Sequence, residues 1–201
     1  MSREAIFDAV RAAAPDAFNG ETSDAHIDLL DAVLTILGVP EDEMLPPPFK
    51  PKLAVGRAGV DLIKQFEGVR LNAYPDPGTG GDPWTIGYGA TQIDGKPVRK
   101  GITITQEQAE ALLHEDIERH AKPVRIMLGD APTTQNQFDA LASLAFNIGV
   151  GALKGSTLMR KHKAGDHDGA ASEFARWNRA GGRVLPGLTR RREAEAKLYR
   201  S

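Results

Sequence analysis

Three carboxylates and one strand hydroxyl crowd into residues 66–89, FEGVRLNAYPDPGTGGDPWTIGYG: Glu67, Asp76, Asp82 and Thr85. Carboxyl groups in unlike surroundings divide into a proton donor and an ionised partner, because burial and negative dipoles favour the neutral form while water and backbone donors favour the charged one. Glu67 closes a helical period just before Gly68, so it is expected at a helix C-terminus, facing the negative end of the peptide dipoles and partly buried beside Phe66. Those surroundings suit an acid. Asp76 falls in a polar turn rich in Pro and Gly, where ionisation is easier. Such a pair is what glycosidic bond cleavage uses: one group protonates the leaving oxygen, and the other activates water or stabilises positive charge on the sugar. In WTIGY, strand alternation puts Trp84, Ile86 and Tyr88 on one face and Thr85 on the other, free to offer its hydroxyl to a cleft water. Asp82 is the alternative second carboxylate, since the register of the turn decides which aspartate reaches a cleft. Each residue also has a plain reading: a solvated Glu at a helix end, an Asp chosen for its turn, a Thr chosen for its strand. Spacing leaves both readings open.

The elements that must hold these groups are legible. Residues 56–66 carry a helical period through Val60, Leu62, Ile63 and Phe66; Leu71–Tyr74 and Trp84–Gly89 read as strands, with a second turn at Asp94-Gly95. Thr105 with Gln108, and Thr134 with Gln137, each fit a helix capping box. Further helices are predicted over 157–164, 169–179 and 188–199, punctuated by Gly165, Gly181-Gly182 and Pro186-Gly187. Helices dominate and strands segregate to one short region, an α+β arrangement of a helical lobe and a small antiparallel β lobe with a cleft between them. Ahead of this, residues 1–45 read as an accessory helical hairpin and 46–53 as a Pro-rich linker, leaving 54–201 as the main domain.

Composition narrows the chemistry. The chain has 201 residues and no cysteine, so disulfides, thiolate metal sites and a cysteine nucleophile are excluded together. The five histidines form no H-E-x-x-H, and Gly78-Thr-Gly-Gly81 lacks the Lys-Ser/Thr of a phosphate loop. No run of about 20 apolar residues is present, and MSREAIFDAV lacks a signal-peptide apolar block. Residues 1–50 hold ten acids against three bases, while 51–201 hold 17 acids against 22 bases. The run Arg190-Arg191-Arg192 makes the C-terminal helices basic, suited to an anionic wall polymer or lipid as well as to nucleic acid.

Longer strings carry a resemblance. Leu62-Ile-Lys-Gln-Phe-Glu-Gly68, Tyr74-x-Asp76 and Trp84–Gly89, followed by Gln137–Gly149, Ser156-Thr-Leu158, Phe174–Asn178 and Leu185–Ala194, resemble the bacteriophage lysozymes, endolysins of glycoside hydrolase family 24, from about residue 54 to 200. The resemblance implies the two-lobed lysozyme fold, with Glu67, Asp76 and Thr85 at the catalytic positions and Thr91, Phe146 and Asn147 at cleft-lining ones. It implies hydrolysis between N-acetylmuramic acid and N-acetylglucosamine in peptidoglycan, by inversion, without cofactor, metal or nucleic acid. It also implies a monomer that waits in the host cytoplasm and acts on the wall after release, with anionic outer-membrane lipid as a second partner of the basic helices. Two features depart from the pattern: Asp76 and Thr85 are nine apart rather than six, and Ala90 stands where many relatives carry His. A lytic transglycosylase and a non-catalytic wall-binding module are the rival readings.

Overall fold

The computed structural model describes residues 53–75 and 80–201; the expected hairpin 1–45, all of the linker except residue 53, and Asp76 lie outside them. The chain divides between Lys52 and Leu53, and every described helix and strand belongs to the unit Leu53–Ser201.

Helix α1, Arg57–Glu67, starts at Gly56 without a side-chain cap of its own. The cap comes from far along the chain. Asp139 accepts from the Gly56 and Gly59 N–H groups at 2.9 and 3.0 Å and from Gln135 Nε2 at 2.7 Å. A carboxylate there also meets the positive end of the helix dipole. The helix ends as expected, with Gly68 at φ +68° and its N–H returning to the Lys64 carbonyl.

Strands β1 (Arg70–Pro75) and β2 (Trp84–Gly87) pair antiparallel, Tyr74 opposite Thr85, with an irregularity between Arg70 and Tyr74. Gly87 and Gly89, both at positive φ, then fold the chain back so that Ile86 and Ala90 exchange hydrogen bonds of 2.8 and 2.9 Å. The hairpin β3 (Gln92–Ile93) and β4 (Lys96–Pro97) turns at Asp94-Gly95.

The helical lobe comprises α2 (Gln106–Leu128), α3 (Gln135–Ile148), α4 (Val150–Lys154), α5 (Thr157–Lys163), α6 (His167–Glu173) and α7 (Pro186–Arg200). Both capping boxes form: Thr105 and Thr134 each accept from the backbone of Gln108 and Gln137, whose side chains reach back. One stripe of α2 serves two cores. Ala109, Leu113 and Ile117 pack with Val60, Ile63, Ile86 and Val98 in the β lobe, whereas Ala121, Val124 and Leu128 pack with Phe138, Leu141, Leu153 and Phe174 in the helical lobe. The stripe spans about 30 Å of helix and ties the lobes into one unit.

Two expectations need correction. The helix over 169–179 stops at Glu173, passes into a 3₁₀ turn over Phe174–Trp177, and gives way to a third hairpin, β5 (Arg179–Ala180) with β6 (Arg183–Val184). Gly181 and Gly182, at φ +56° and +76°, form the two-residue turn that a helix-ending reading overlooked. The arginine run is not a surface patch: Arg190 is exposed, but Arg191 and Arg192 are buried.

Candidate active site

Between the lobes lies a cleft of about 430 Å³. Glu67 enters it from the C-terminus of α1, Thr91 from the chain after β2, and Phe146 and Asn147 from the end of α3. Four residues named from the sequence therefore meet in one place. Thr85 is half-buried on β2 and Asp82 exposed in the turn before it; neither lines this cleft. Asp76 lies outside the described residues.

Sequence reasoning missed the opposite wall. Asp116, Arg119 and His120 of α2 border the cleft, as do Tyr88 and Gln92. Asp116 and His120 carried a signal, each standing one position before a residue of the apolar stripe, Ile117 and Ala121. Arg119 pairs with Asp116 at 2.8 Å, Tyr88 Oη accepts from Gln106 Nε2 at 3.1 Å, and the His120 and Phe146 rings lie 5.0 Å apart.

Sequence reasoning also missed what holds Glu67. Arg191 Nη1 donates to Glu67 Oε1 at 2.6 Å, its guanidinium 5.7 Å from the Phe66 ring. The Glu67 side chain is 24% exposed; Arg191 is 4% exposed, so the ion pair sits at the inner edge of the cleft. Behind it, Glu195 Oε1 accepts from Arg191 Nε at 3.2 Å, Arg192 Nη2 at 3.0 Å and Ser143 Oγ at 2.8 Å. Arg192 Nε lies 2.8 Å from Glu195 Oε2, and Arg192 Nη2 also donates to Asn147 Oδ1 at 3.0 Å. Burial pushes the Glu195 carboxyl up and the Arg192 guanidinium down, and the attraction between them opposes both shifts. Two buried cations and two carboxylates thus form a network that contacts both Glu67 and Asn147, although Arg191 Nη2 and Arg192 Nη1 are buried in it without a hydrogen-bond partner.

Among the described residues, no three His, Asp or Glu side chains gather as metal ligands do. A half-buried carboxyl thus stands at the edge of an inter-lobe cleft with a buried guanidinium on one of its oxygens. A profile of the Phage lysozyme family matches residues 64–195. The chain belongs to the phage lysozyme family.

An endolysin of Acyrthosiphon pisum secondary endosymbiont phage 1 is 44% identical over 151 residues, 73% of this chain and 98% of that one. An endolysin of Bacillus phage B103 is also 44% identical, over 145 residues, 72% of this chain; the match spans about half of that relative's length, 53%. The solved endolysin from Escherichia coli O157:H7 phage FAHEc1 superposes with a TM-score of 0.68 at 43% identity, covering 75% of this chain and 96% of that one. The family's matched region contains Glu67, the whole cleft and the Arg191–Arg192–Glu195 set. Among the described residues, no helix of this family member is long and apolar enough to cross a membrane.

Proposed function

We propose that this phage lysozyme, a peptidoglycan-hydrolysing endolysin, cuts the β-1,4 bond between N-acetylmuramic acid and N-acetylglucosamine by direct displacement with inversion. Glu67 protonates the departing glycosidic oxygen. Asp76, with Thr85, holds and deprotonates the water that attacks the anomeric carbon from the other face, Asp82 being the alternative carboxylate. The observation that carries the reading is Glu67, half-buried at the cleft edge with one oxygen already engaged. Because Arg191 donates to Oε1, the acidic proton belongs on Oε2, for which no described residue is a partner. The guanidinium then takes up the negative charge that Glu67 acquires as the proton leaves.

Its site of action is the cell wall. Residues 1–45, acidic in sequence, are assigned an accessory role, and release from the host cytoplasm is assigned to a separate pore. The exposed Arg190, Lys197 and Arg200 are the groups of α7 left to meet anionic lipid.

Glu67→Gln tests the assignment. Turnover of purified peptidoglycan, read as new reducing ends, should fall by at least about a hundredfold while the melting temperature holds. Retained turnover would refute the role of Glu67. Anhydro-muramyl products in the mass spectrum of wild-type digests would replace hydrolysis with transglycosylation.

A further inference from the structure

Between Glu173 and Glu193 the chain holds six arginines and no acid. Arg191 and Arg192 are taken into the buried network, which leaves Arg176, Arg179, Arg183 and Arg190 exposed. Arg176 reaches Glu173 at 3.4 Å, and no described acid pairs with the other three. Arg179 Nη1 donates to the Gly182 carbonyl of its own turn at 3.3 Å, a contact that leaves its charge unbalanced.

Apolar groups are exposed in the same place. From Arg179 to Gly187 every residue of the chain is exposed. Among the described residues four large hydrophobic side chains are exposed, and two of them, Val184 at 49% and Leu185 at 41%, adjoin within this run. Arg179 stands opposite Val184 across the β5–β6 pair, so the two share a face. Leu185 stays extended and donates its N–H to the Asn178 carbonyl at 2.9 Å, which puts it with Arg183 on the other face. Each face thus joins one cation to one aliphatic side chain, and neither is covered by the core. None of these residues lines the inter-lobe cleft.

We infer that the β5–β6 hairpin is a docking surface for an anionic lipid bilayer, with Arg179 and Arg183 on lipid phosphates and Val184 and Leu185 entering the headgroup boundary. Long cationic side chains hold their charge at the polar level while shorter aliphatic ones go deeper. The pairing of groups decides the partner. A hydrated polyanion would neutralise the arginines but would gain nothing from the two aliphatic groups, whereas an anionic bilayer uses both. The lipid contact assigned above to α7 is the reading on which this rests, and its seat moves to the hairpin. Two exposed cations and two half-exposed aliphatic groups give a weak, reversible contact that concentrates the chain at a bilayer without anchoring it.

The test is co-sedimentation of the full chain at low salt with vesicles of phosphatidylcholine, alone or mixed with phosphatidylglycerol at about three to one. The wild-type chain should bind the mixed vesicles, more weakly as salt rises, and leave the neutral ones in the supernatant. Arg179→Gln with Arg183→Gln should weaken binding about ten- to thirtyfold, and Val184→Ser with Leu185→Ser about tenfold. Both variants should keep a cooperative melt and the wild-type turnover of soluble glycan strands. Weakened binding after Lys197→Gln with Arg200→Gln, while both hairpin variants bind as the wild type does, would overturn the hairpin and leave the α7 reading standing. A wild-type chain that ignores the mixed vesicles would remove both. If the serine variant binds as the wild type does, and the arginine variant loses soluble poly(glycerol phosphate) as steeply as vesicles, the surface serves a wall polyanion and the bilayer inference fails.

Discussion

Glu195→Gln is the sharpest test of the claim that buried charge balance, rather than apolar packing alone, seats α7. The substitution keeps the shape of the side chain, so it opens no cavity. Oε1 can go on accepting from Ser143, Arg191 and Arg192. What changes is charge: the carboxylate is 0% exposed and Arg192 1%, and replacing Oε2 with an amide sets a donor opposite Arg192 Nε, now 2.8 Å from that oxygen. The set loses the carboxylate charge of Glu195 and keeps both buried guanidinium cations. Removing one partner of a buried ion pair costs about 3 to 5 kcal/mol, because the stranded charge keeps its desolvation penalty. At roughly 2 to 4 °C per kcal/mol for a domain of this size, the melting temperature should fall by about 6 to 20 °C, measured calorimetrically at pH 7. The double replacement Arg192→Met with Glu195→Leu removes one charge of each sign and leaves Arg191 paired with Glu67. It should regain most of the loss, since well-packed apolar groups replace buried ion pairs at little cost. A fall of less than about 3 °C for Glu195→Gln would show that water reaches these guanidiniums, and the balance argument would fail.

Two further outcomes are expected from other buried groups. His162 is 1% exposed, with Nε2 2.9 Å from Thr133 Oγ1 and Nδ1 2.5 Å from Tyr199 Oη. The Thr133 hydroxyl donates to the Ala131 carbonyl, so Nε2 carries the hydrogen and Nδ1 accepts from Tyr199. Burial, aided by the neighbouring His167, lowers its pKa to about 4. The unfolded chain therefore binds the proton first: this stability is complete above about pH 6.5 and drains away as pH falls to about 4, a loss of about 3 kcal/mol. Urea midpoints should fall between pH 7 and 4.5, and the fall should be shallower in His162→Gln; equal slopes would exclude His162 as the cause. Gly59→Ala places a Cβ 2.6 Å from Val55 Cγ1 and 2.9 Å from Asp139 Cβ, and should destabilise by about 1 to 3 kcal/mol in chemical denaturation. An unchanged midpoint would show that α1 shifts freely off α3.

What the sequence disclosed and what it hid obey one division. The helix ends, the two capping boxes, the Asp94-Gly95 turn and the terminal place of Glu67 rest on contacts between residues near in the chain, so residue type and spacing suffice to read them. The cap on α1 was illegible because Gly56 offers no side chain and its acceptor, Asp139, lies some eighty positions away among the alanines and leucines of α3. The third hairpin was lost because Gly181-Gly182 marks a helix end and a tight turn equally well.

The arginines show the limit most plainly. A run of three cations reads as solvated surface because buried unpaired arginine is prohibitively costly, and pairing across helices is invisible in a one-dimensional string. Yet the compensating group was local. Glu195 stands three residues after Arg192 and four after Arg191, on the face of α7 that also carries the buried Tyr199. Cations and an acid at helical spacing, sharing a face with core residues rather than opposing it, point inward. The consequence is functional, because the buried end of that set grips Glu67 on one side and Asn147 on the other. The proposed acid and the cleft-lining amide of Asn147 are thereby held through the same carboxylate, and a substitution at Glu195 should disturb both although Glu195 itself is fully buried behind them.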